Sequence, residues 1–424
     1  MQIKKIRLVN FRGMKDLTVE FDSGVNIIIG DNGAGKTSLL SGICIALSSL
    51  FDALTLRDID IYRPINKEEV RVTSVMIGDV TENTEAHFPV SIEADLIFAR
   101  AEYRYKVVKE NELSTSLMLR DDLKNLMKEH ISNSNINLSI LNYQSAERGT
   151  VYEPKNNNSI AVKAIERKQG YQSTFRGDSI FVVVREWCAQ MDYTEYKLRH
   201  DVREYKNFKA IVSKFMKELN NMTVFPRVDY APKIGQLIFF DGNKGELISN
   251  LSAGYQSILC MIMELAYRAV LLNPTLDDFS KLEGVVLIDE IDVHLHPKWQ
   301  WRIIGALRAT FPKVQFIVAT HSPIVLSSAE DAKLIFMTSP NEVEPLENAY
   351  GIDVNDVLEL RQQSAGMLPE LKECRKRISR CLNNNDIQGA EAVIEEAATQ
   401  YNKDSALVKK LQEFFQMNKW IAEA

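Results

Sequence analysis

Apolar and polar positions alternate along Ile3–Asn10 and again along Leu17–Phe21, the two-residue period of strands with one buried face. Val25–Ile29 (VNIII) is instead a β-branched run, which suits a strand buried on both faces. A glycine-rich turn follows, and a helix is predicted from about Lys36. Residues 91–109, SIEADLIF then AEYRYKVVK, alternate as an antiparallel pair does, and Leu138–Tyr143 predicts another short strand. Residues 1–145 therefore read as a mixed α/β lobe.

The period changes over residues 146–235. After an asparagine run at 156–158, Leu198, Val202, Tyr205, Phe208, Val212, Phe215 and Leu219 recur every three or four positions, predicting an amphipathic helix in a helical insertion. Strand character returns at Gln236–Phe240, Val285–Ile288 and Val314–Ala319, alternating with helical segments as parallel α/β units do. Residues 236–350 form the second lobe on this pattern. Its most apolar stretch, Ile258–Leu272, carries Glu264 and Arg268 and is short for a bilayer, so it is expected to be a core helix. From residue 351 a charged helical tail is predicted. Leu368, Leu371, Ile378 and Leu382 fall on one face, and a turn at Asn383–Asn385 precedes Ile387, Ala390, Val393 and Ala397 on another. A third helix is expected at 404–418. The fold class is α/β, with a mixed first lobe, a parallel core in the second, a helical insertion and a C-terminal helical hairpin.

With 424 residues the chain is long enough for several domains, and its net charge of −6 confines any nucleic-acid contact to a local patch. The five cysteines are scattered without a CxxC pair, as reduced thiols in a cytoplasmic protein are. The N-terminus, MQIKKIRLVNFRG, lacks the apolar block of a signal peptide, and no membrane partner is expected.

Residues 30–37, GDNGAGKT, match G-x-x-x-x-G-K-[ST] between a strand and a helix, the context this motif requires. Gly30, Asp31, Asn32, Gly33, Ala34, Gly35, Lys36, Thr37 and Ser38 then make a loop whose N–H groups cradle phosphate oxygens. Lys36 is placed for the β- and γ-phosphates of ATP, and the Thr37 hydroxyl for Mg2+. Residues 285–290, VVLIDE, end an apolar strand in two acids. Asp289 is positioned to hold Mg2+, and Glu290 to deprotonate the attacking water. A later strand ends in VQFIVATHSP, presenting His321 to a γ-phosphate. Each feature alone has a plainer description: a glycine turn, surface acids, a structural histidine. Their order makes one nucleotide site. Residues 251–257, LSAGYQS, open the apolar helix, where Ser252 and Gly254 fit both a helix cap and an N-terminus left open for an anion.

The order GxxxxGKT, LSxGxQ, φφφφDE and strand-end histidine resembles the ATP-binding cassette ATPases. The long insertion and the NFRG start are most similar to their SMC-like branch. That resemblance implies that Ser252 and Gly254 of one subunit close on the γ-phosphate held by its partner, in a head-to-tail homodimer or higher homo-oligomer. It also nominates Gln144 as the Mg2+-sensing glutamine. Arg12 in NFRG either approaches the nucleotide or forms a surface salt bridge. The segments LNYQSAER, QGYQSTF, LSAGYQS, IDEIDVHLHPKWQ and ATHSPIVLS, with AYGIDVNDVL and a helical tail, resemble the PtuA family, the ATPase subunit of Septu antiphage systems, including retron-associated versions. The resemblance implies phage defence through a separate HNH nuclease. An SMC-like DNA-repair ATPase acting on DNA ends is the alternative.

The chain departs from the transporter pattern at Ala253, Tyr255 and His296. His294, His296 and Asp292 make an incomplete metal set, and an inter-subunit contact is the competing description. Lys197, Arg199, Arg203, Lys206, Lys209, Lys214 and Lys217 outnumber Asp201 and Glu204, and Lys163, Arg167, Lys168 and Arg176 add a second basic cluster. These either neutralise the phosphates of DNA or RNA, retron msDNA among them, or form a solvated face. No His–Asn–His constellation is evident, which assigns any cutting to a partner, with the C-terminal hairpin a docking candidate.

Overall fold

The computed structural model describes residues 1–51, 61–77, 80–148, 166–221, 225–242, 244–346, 350–351, 369–384, 386–401 and 405–419. The asparagine run at 156–158, Lys163, Leu368, Asn385 and residues 352–358 lie outside the described residues.

Alternation builds the first sheet. Strands β1 (Gln2–Phe11), β2 (Met14–Glu20), β6 (Val90–Phe98), β7 (Ala101–Lys109) and β8 (Leu117–Met118) pair antiparallel in the order β2-β1-β6-β7-β8. Ile6, Leu8, Ile92, Ala94 and Leu96 turn inward, while Arg7 pairs with Asp16 and Arg104 with Asp95 outside. Strands β4 (Val72–Ile77) and β5 (Val80–Ala86) form a separate hairpin.

The second sheet does not respect the two lobes read from the sequence. Strands β3 (Val25–Gly30) and β9 (Ile140–Gln144) pair in parallel with β14 (Val314–Ala319) and β13 (Gly284–Ile288), giving the order β16-β15-β3-β14-β13-β9. Only β16 (Glu342–Leu346) runs antiparallel, against β15 (Lys333–Ser339). Every residue of β9, β13 and β14 is buried, as is Val25–Ile29, so these runs satisfy a sheet covered on both faces. The parallel core is thus assembled from both ends of the chain. Helix α1 (Lys36–Ser49) packs against strands of both large sheets and is buried almost all round.

Helix α5 (Ala253–Leu272) is buried without a break from Ser257 to Leu272. At 20 residues it passes a length-and-composition test for crossing a bilayer, so its burial, rather than shortness, identifies it as a core helix. Glu264 and Arg268 meet inside as an i,i+4 ion pair at 2.8 Å. The single helix expected through Leu198 and Val202 is two: α3 (Phe181–Leu198) stops where Arg199 turns left-handed (φ 60°), and α4 (Arg203–Asn220) begins after it. Helix α4 buries Tyr205, Phe208, Val212, Phe215 and Leu219 and packs on α5 and α7 (Ile303–Thr310). The helical segment accordingly belongs to one compact unit, Met1–Gly351. Gln236–Phe240 is also placed differently from the parallel unit expected. It forms β11 (Gln236–Asp241), antiparallel between β10 (Arg227–Ala231) and β12 (Lys244–Leu247), with Leu237 and Phe239 buried on one face.

The second unit, Ile352–Ala424, holds helices Pro369–Asn383, Ile387–Tyr401 and Ala406–Asn418. Leu371, Ile378, Leu382, Val393, Leu411 and Phe415 give it its own core. All five cysteines are free, and burial pushes the Cys44 and Cys260 thiols up to about 12, away from reactivity.

Candidate functional site

The carboxyl ends of β3, β14, β13 and β9 share one edge of the parallel sheet, where open α/β sheets hold ligands. The phosphate-type loop leaves β3 at Gly30, whose φ is 154° and whose added Cβ would meet the Met337 carbonyl oxygen at 2.3 Å. No other residue fits there. Gly35, left-handed at φ 97°, opens α1. Lys36 is buried over this loop, its Nζ donating to the carbonyls of Gly30 at 2.9 Å and Asp31 at 3.0 Å. Burial lowers its pKa, and the nearby Asp289, Glu290, Asp31 and Asp292 oppose that shift.

The Thr37 hydroxyl donates to Asp289 Oδ2 at 2.7 Å, while the other carboxylate oxygen, Oδ1, is buried without a hydrogen-bond partner. An orphaned carboxylate oxygen costs roughly 1–3 kcal/mol or more. A hard cation ligated by oxygen relieves that cost, so Thr37 and Asp289 fit Mg2+. Thr37, Asp289 and Glu290 line a pocket of about 230 Å³ together with Asn32, Gly33, Gly35, Lys36, Ser38 and His321. The same three residues also line a larger pocket of about 660 Å³, toward Arg12, Arg63 and Arg176.

Glu290 sits at the strand end in a left-handed conformation (φ 44°), unusual for a residue with a side chain. Such a residue costs about 1–3 kcal/mol unless its surroundings hold it. Arg148 does so. Its guanidinium donates to the carbonyls of Asp289 at 2.7 Å, Glu290 at 2.9 Å and Ile291 at 3.2 Å, and to Ser145 at 3.0 Å. Hydrogen bonds from a charged group contribute about 1.5–3 kcal/mol each, enough to outweigh the strain. Burial pulls Arg148 down to about 10 against the pull of Asp292, Asp289 and Glu290, so it stays charged at neutral pH. Asp292 braces the neighbouring loop: its Oδ1 accepts from the Thr320 hydroxyl and, at 3.4 Å, from the His321 N–H. Arg148 closes the segment LNYQSAER, yet the sequence assigned it no role, because one arginine after a strand carries no periodic signal.

One expected residue is placed otherwise. Gln144 turns its amide onto Asn142 Oδ1 at 2.6 Å and lines neither pocket. Asn142 in turn donates to Glu264 at 2.7 Å, and Arg268 donates onward to the carbonyls of Gly170 and Gln172, both at 2.9 Å. The glutamine is thus tied into a buried polar chain toward α5 rather than joined to Thr37 and Asp289. Arg12 pairs with the buried Glu69 at 3.4 Å, so its ion pair is not a surface one, and it lines the larger pocket.

Ser252 stands at the N-cap of α5, exposed, and its side chain makes no capping hydrogen bond. Gly254 is buried, and an added Cβ would meet the His294 carbonyl oxygen at 2.4 Å. Its bareness is therefore required within this chain, by the turn that follows Glu290. His296 caps α6 (Pro297–Gln300), accepting from the Lys298 N–H at 3.2 Å.

The first basic stretch carries surface pairs and ring contacts. Arg203 pairs with Asp277, Lys206 with Asp201, and Lys209 with Glu195 and Asp229, while Lys197, Arg199 and Lys217 lie over Tyr193, Tyr196 and Phe225. The second cluster is dispersed: Arg167 donates to the carbonyls of Leu272, Asn133 and Ile136, Lys168 pairs with Glu166, and Arg176 lines the larger pocket.

Residues 25–327 match a family described as AAA domain, putative AbiEii toxin, Type IV TA system. A Vibrio cholerae relative, the Retron Vc95 probable ATPase, is 25% identical over 88% of this chain and 81% of its own length. The Septu protein PtuA of Bacillus mycoides is 24% identical over 98% of this chain, which spans 52% of that relative. The DNA double-strand break repair Rad50 ATPase of Archaeoglobus fulgidus is 46% identical over 61 residues, 14% of this chain and 7% of that protein.

Proposed function

The chain belongs to the family described as AAA domain, putative AbiEii toxin, Type IV TA system, and from that premise we propose that it is the ATP-binding and ATP-hydrolysing subunit of a cytoplasmic antiphage defence complex. The observation that carries the chemistry is the pairing of Thr37 with Asp289 at 2.7 Å, with Asp289 Oδ1 left unsatisfied, in a pocket also lined by Lys36, Glu290 and His321. Thr37 and Asp289 would hold Mg2+, which would supply charge neutralisation to the bound phosphates. Lys36 exchanges its two loop carbonyls for phosphate oxygens. Glu290 takes a proton from the attacking water as the bond to the γ-phosphorus forms, and the electron pair of the breaking bond leaves on ADP. His321 hydrogen-bonds the γ-phosphate.

The uncommitted Ser252 hydroxyl supports the second part of the proposal. A second copy presents it, with the N-terminus of α5, to the γ-phosphate, and a head-to-tail dimer then closes two sites. Closure regulates a partner nuclease of the HNH type. The names of the retron and Septu relatives support the defence assignment, and retron msDNA is the nucleic acid they suggest. The local identity to Rad50 supports the alternative, a repair ATPase acting on DNA ends.

Purification of the intact chain from its native host separates the two. An HNH protein retained in stoichiometric amount supports defence, whereas DNA-end binding without such a protein supports repair. For the chemistry, Glu290→Gln slows phosphate release by about 1,000-fold while leaving ATP binding intact, and unchanged turnover would remove Glu290 as the base.

A further inference from the structure

Two strand ends meet at one buried guanidinium. Strands β9 and β13 are parallel neighbours, with Ile288 opposite Gln144 and the Asp289 N–H donating to the Gln144 carbonyl at 2.8 Å. Beyond them the chain diverges, and Arg148 bridges the gap. One of its terminal nitrogens donates to Ser145 and Asp289, the other to Glu290 and Ile291. Three consecutive carbonyls turned toward a single cation demand a tight non-helical bend, and the left-handed Glu290 is that bend. Arg148 is only 3% exposed and lines neither pocket, so it is not placed to touch the nucleotide.

We infer that Arg148 is a positioning residue: by fixing the backbone on both sides of Glu290, it sets the direction in which the Glu290 carboxylate enters the phosphate pocket. This rests on Glu290 being the base. The bend places the Glu290 Cα–Cβ bond relative to Thr37 and Lys36. Removing the guanidinium lets Glu290 relax toward right-handed backbone, which moves the carboxylate while leaving the phosphate loop as it is.

The test compares ATP binding and steady-state phosphate release in the full chain for Arg148→Ala, Arg148→Lys, Glu290→Gln and the Glu290→Gln/Arg148→Ala double variant. Arg148→Ala is expected to lower turnover on the order of 100-fold, the scale of a misplacement near 1 Å, with the ATP dissociation constant held within about threefold. Arg148→Lys falls between it and wild type, since an ammonium lacks the planar fork. Added guanidinium ion, far below denaturing concentration, restores part of the Arg148→Ala turnover, which a general packing defect does not show. The double variant is no slower than Glu290→Gln alone. Wild-type turnover in Arg148→Ala, with Glu290→Gln inactive, overturns the inference and spares the base. An active Glu290→Gln overturns the base first. Should Arg148→Ala fail to fold, Arg148→Lys decides: turnover equal to wild type overturns the inference, and lowered turnover at unchanged ATP affinity supports it.

Discussion

The two regions proposed to face phosphate differ in how far their polar groups are already held. At the end of β3 and β13, Lys36, Thr37 and Asp289 are already bonded to one another or to the loop, and Arg148 and Asp292 brace the turn behind them. At the start of α5, Ser252 is exposed and makes no capping bond. The backbone beneath it is nonetheless fixed, with Gly254 against the His294 carbonyl and Tyr255 edge-on to Trp299 at 4.4 Å between ring centroids. In the first region the polar groups are held by one another and by the loop; in the second, the Ser252 hydroxyl makes no capping bond among the described residues. That difference is the ground for proposing a second copy at Ser252.

The largest expected effects fall on the first region. Glu290→Gln lowers turnover by about 1,000-fold, within the range for a lost general base, with ATP affinity little changed in equilibrium binding. Lys36→Ala weakens ATP binding by roughly 100-fold or more, because a buried phosphate charge loses its partner; residual tight binding in a fluorescent-nucleotide titration would contradict the loop's assignment. Gly254→Ala belongs to the second region and destabilises the fold by about 1–3 kcal/mol in denaturant titration, since its Cβ meets backbone. The smallest effect sharpens the comparison most. Ser252→Ala changes stability by less than about 0.5 kcal/mol, whereas a true N-cap loses about 0.5–2.

Local features of this architecture were readable from the sequence for a physical reason. A loop such as GDNGAGKT needs glycines at fixed steps because its backbone must turn left-handed, and VVLIDE needs β-branched residues because both faces are covered. Partnership across the chain has no such imprint. Nothing in VNIII says that β3 lies between β14 and β15, or that strands from both expected lobes share one largely parallel sheet. The polar chain from Gln144 through Asn142 to Glu264 and Arg268 is likewise invisible, since its central link joins Asn142 to Glu264 across 122 positions and forms only by burial. The helix predicted through Leu198 and Val202 failed at Arg199, where apolar spacing continues across a backbone reversal. Arg148 bonds carbonyls, which every residue has, so no side-chain pattern announces it.

The central claim is that a second copy completes the nucleotide site through Ser252. It is tested most directly by sedimentation of Glu290→Gln with ATP and Mg2+, with and without Ser252→Arg. The account predicts an ATP-dependent dimer for Glu290→Gln alone, and a monomer that still binds ATP once Ser252→Arg is added. Equal ATP-dependent dimerisation in both would contradict it, leaving Ser252 as the start of a helix and nothing more.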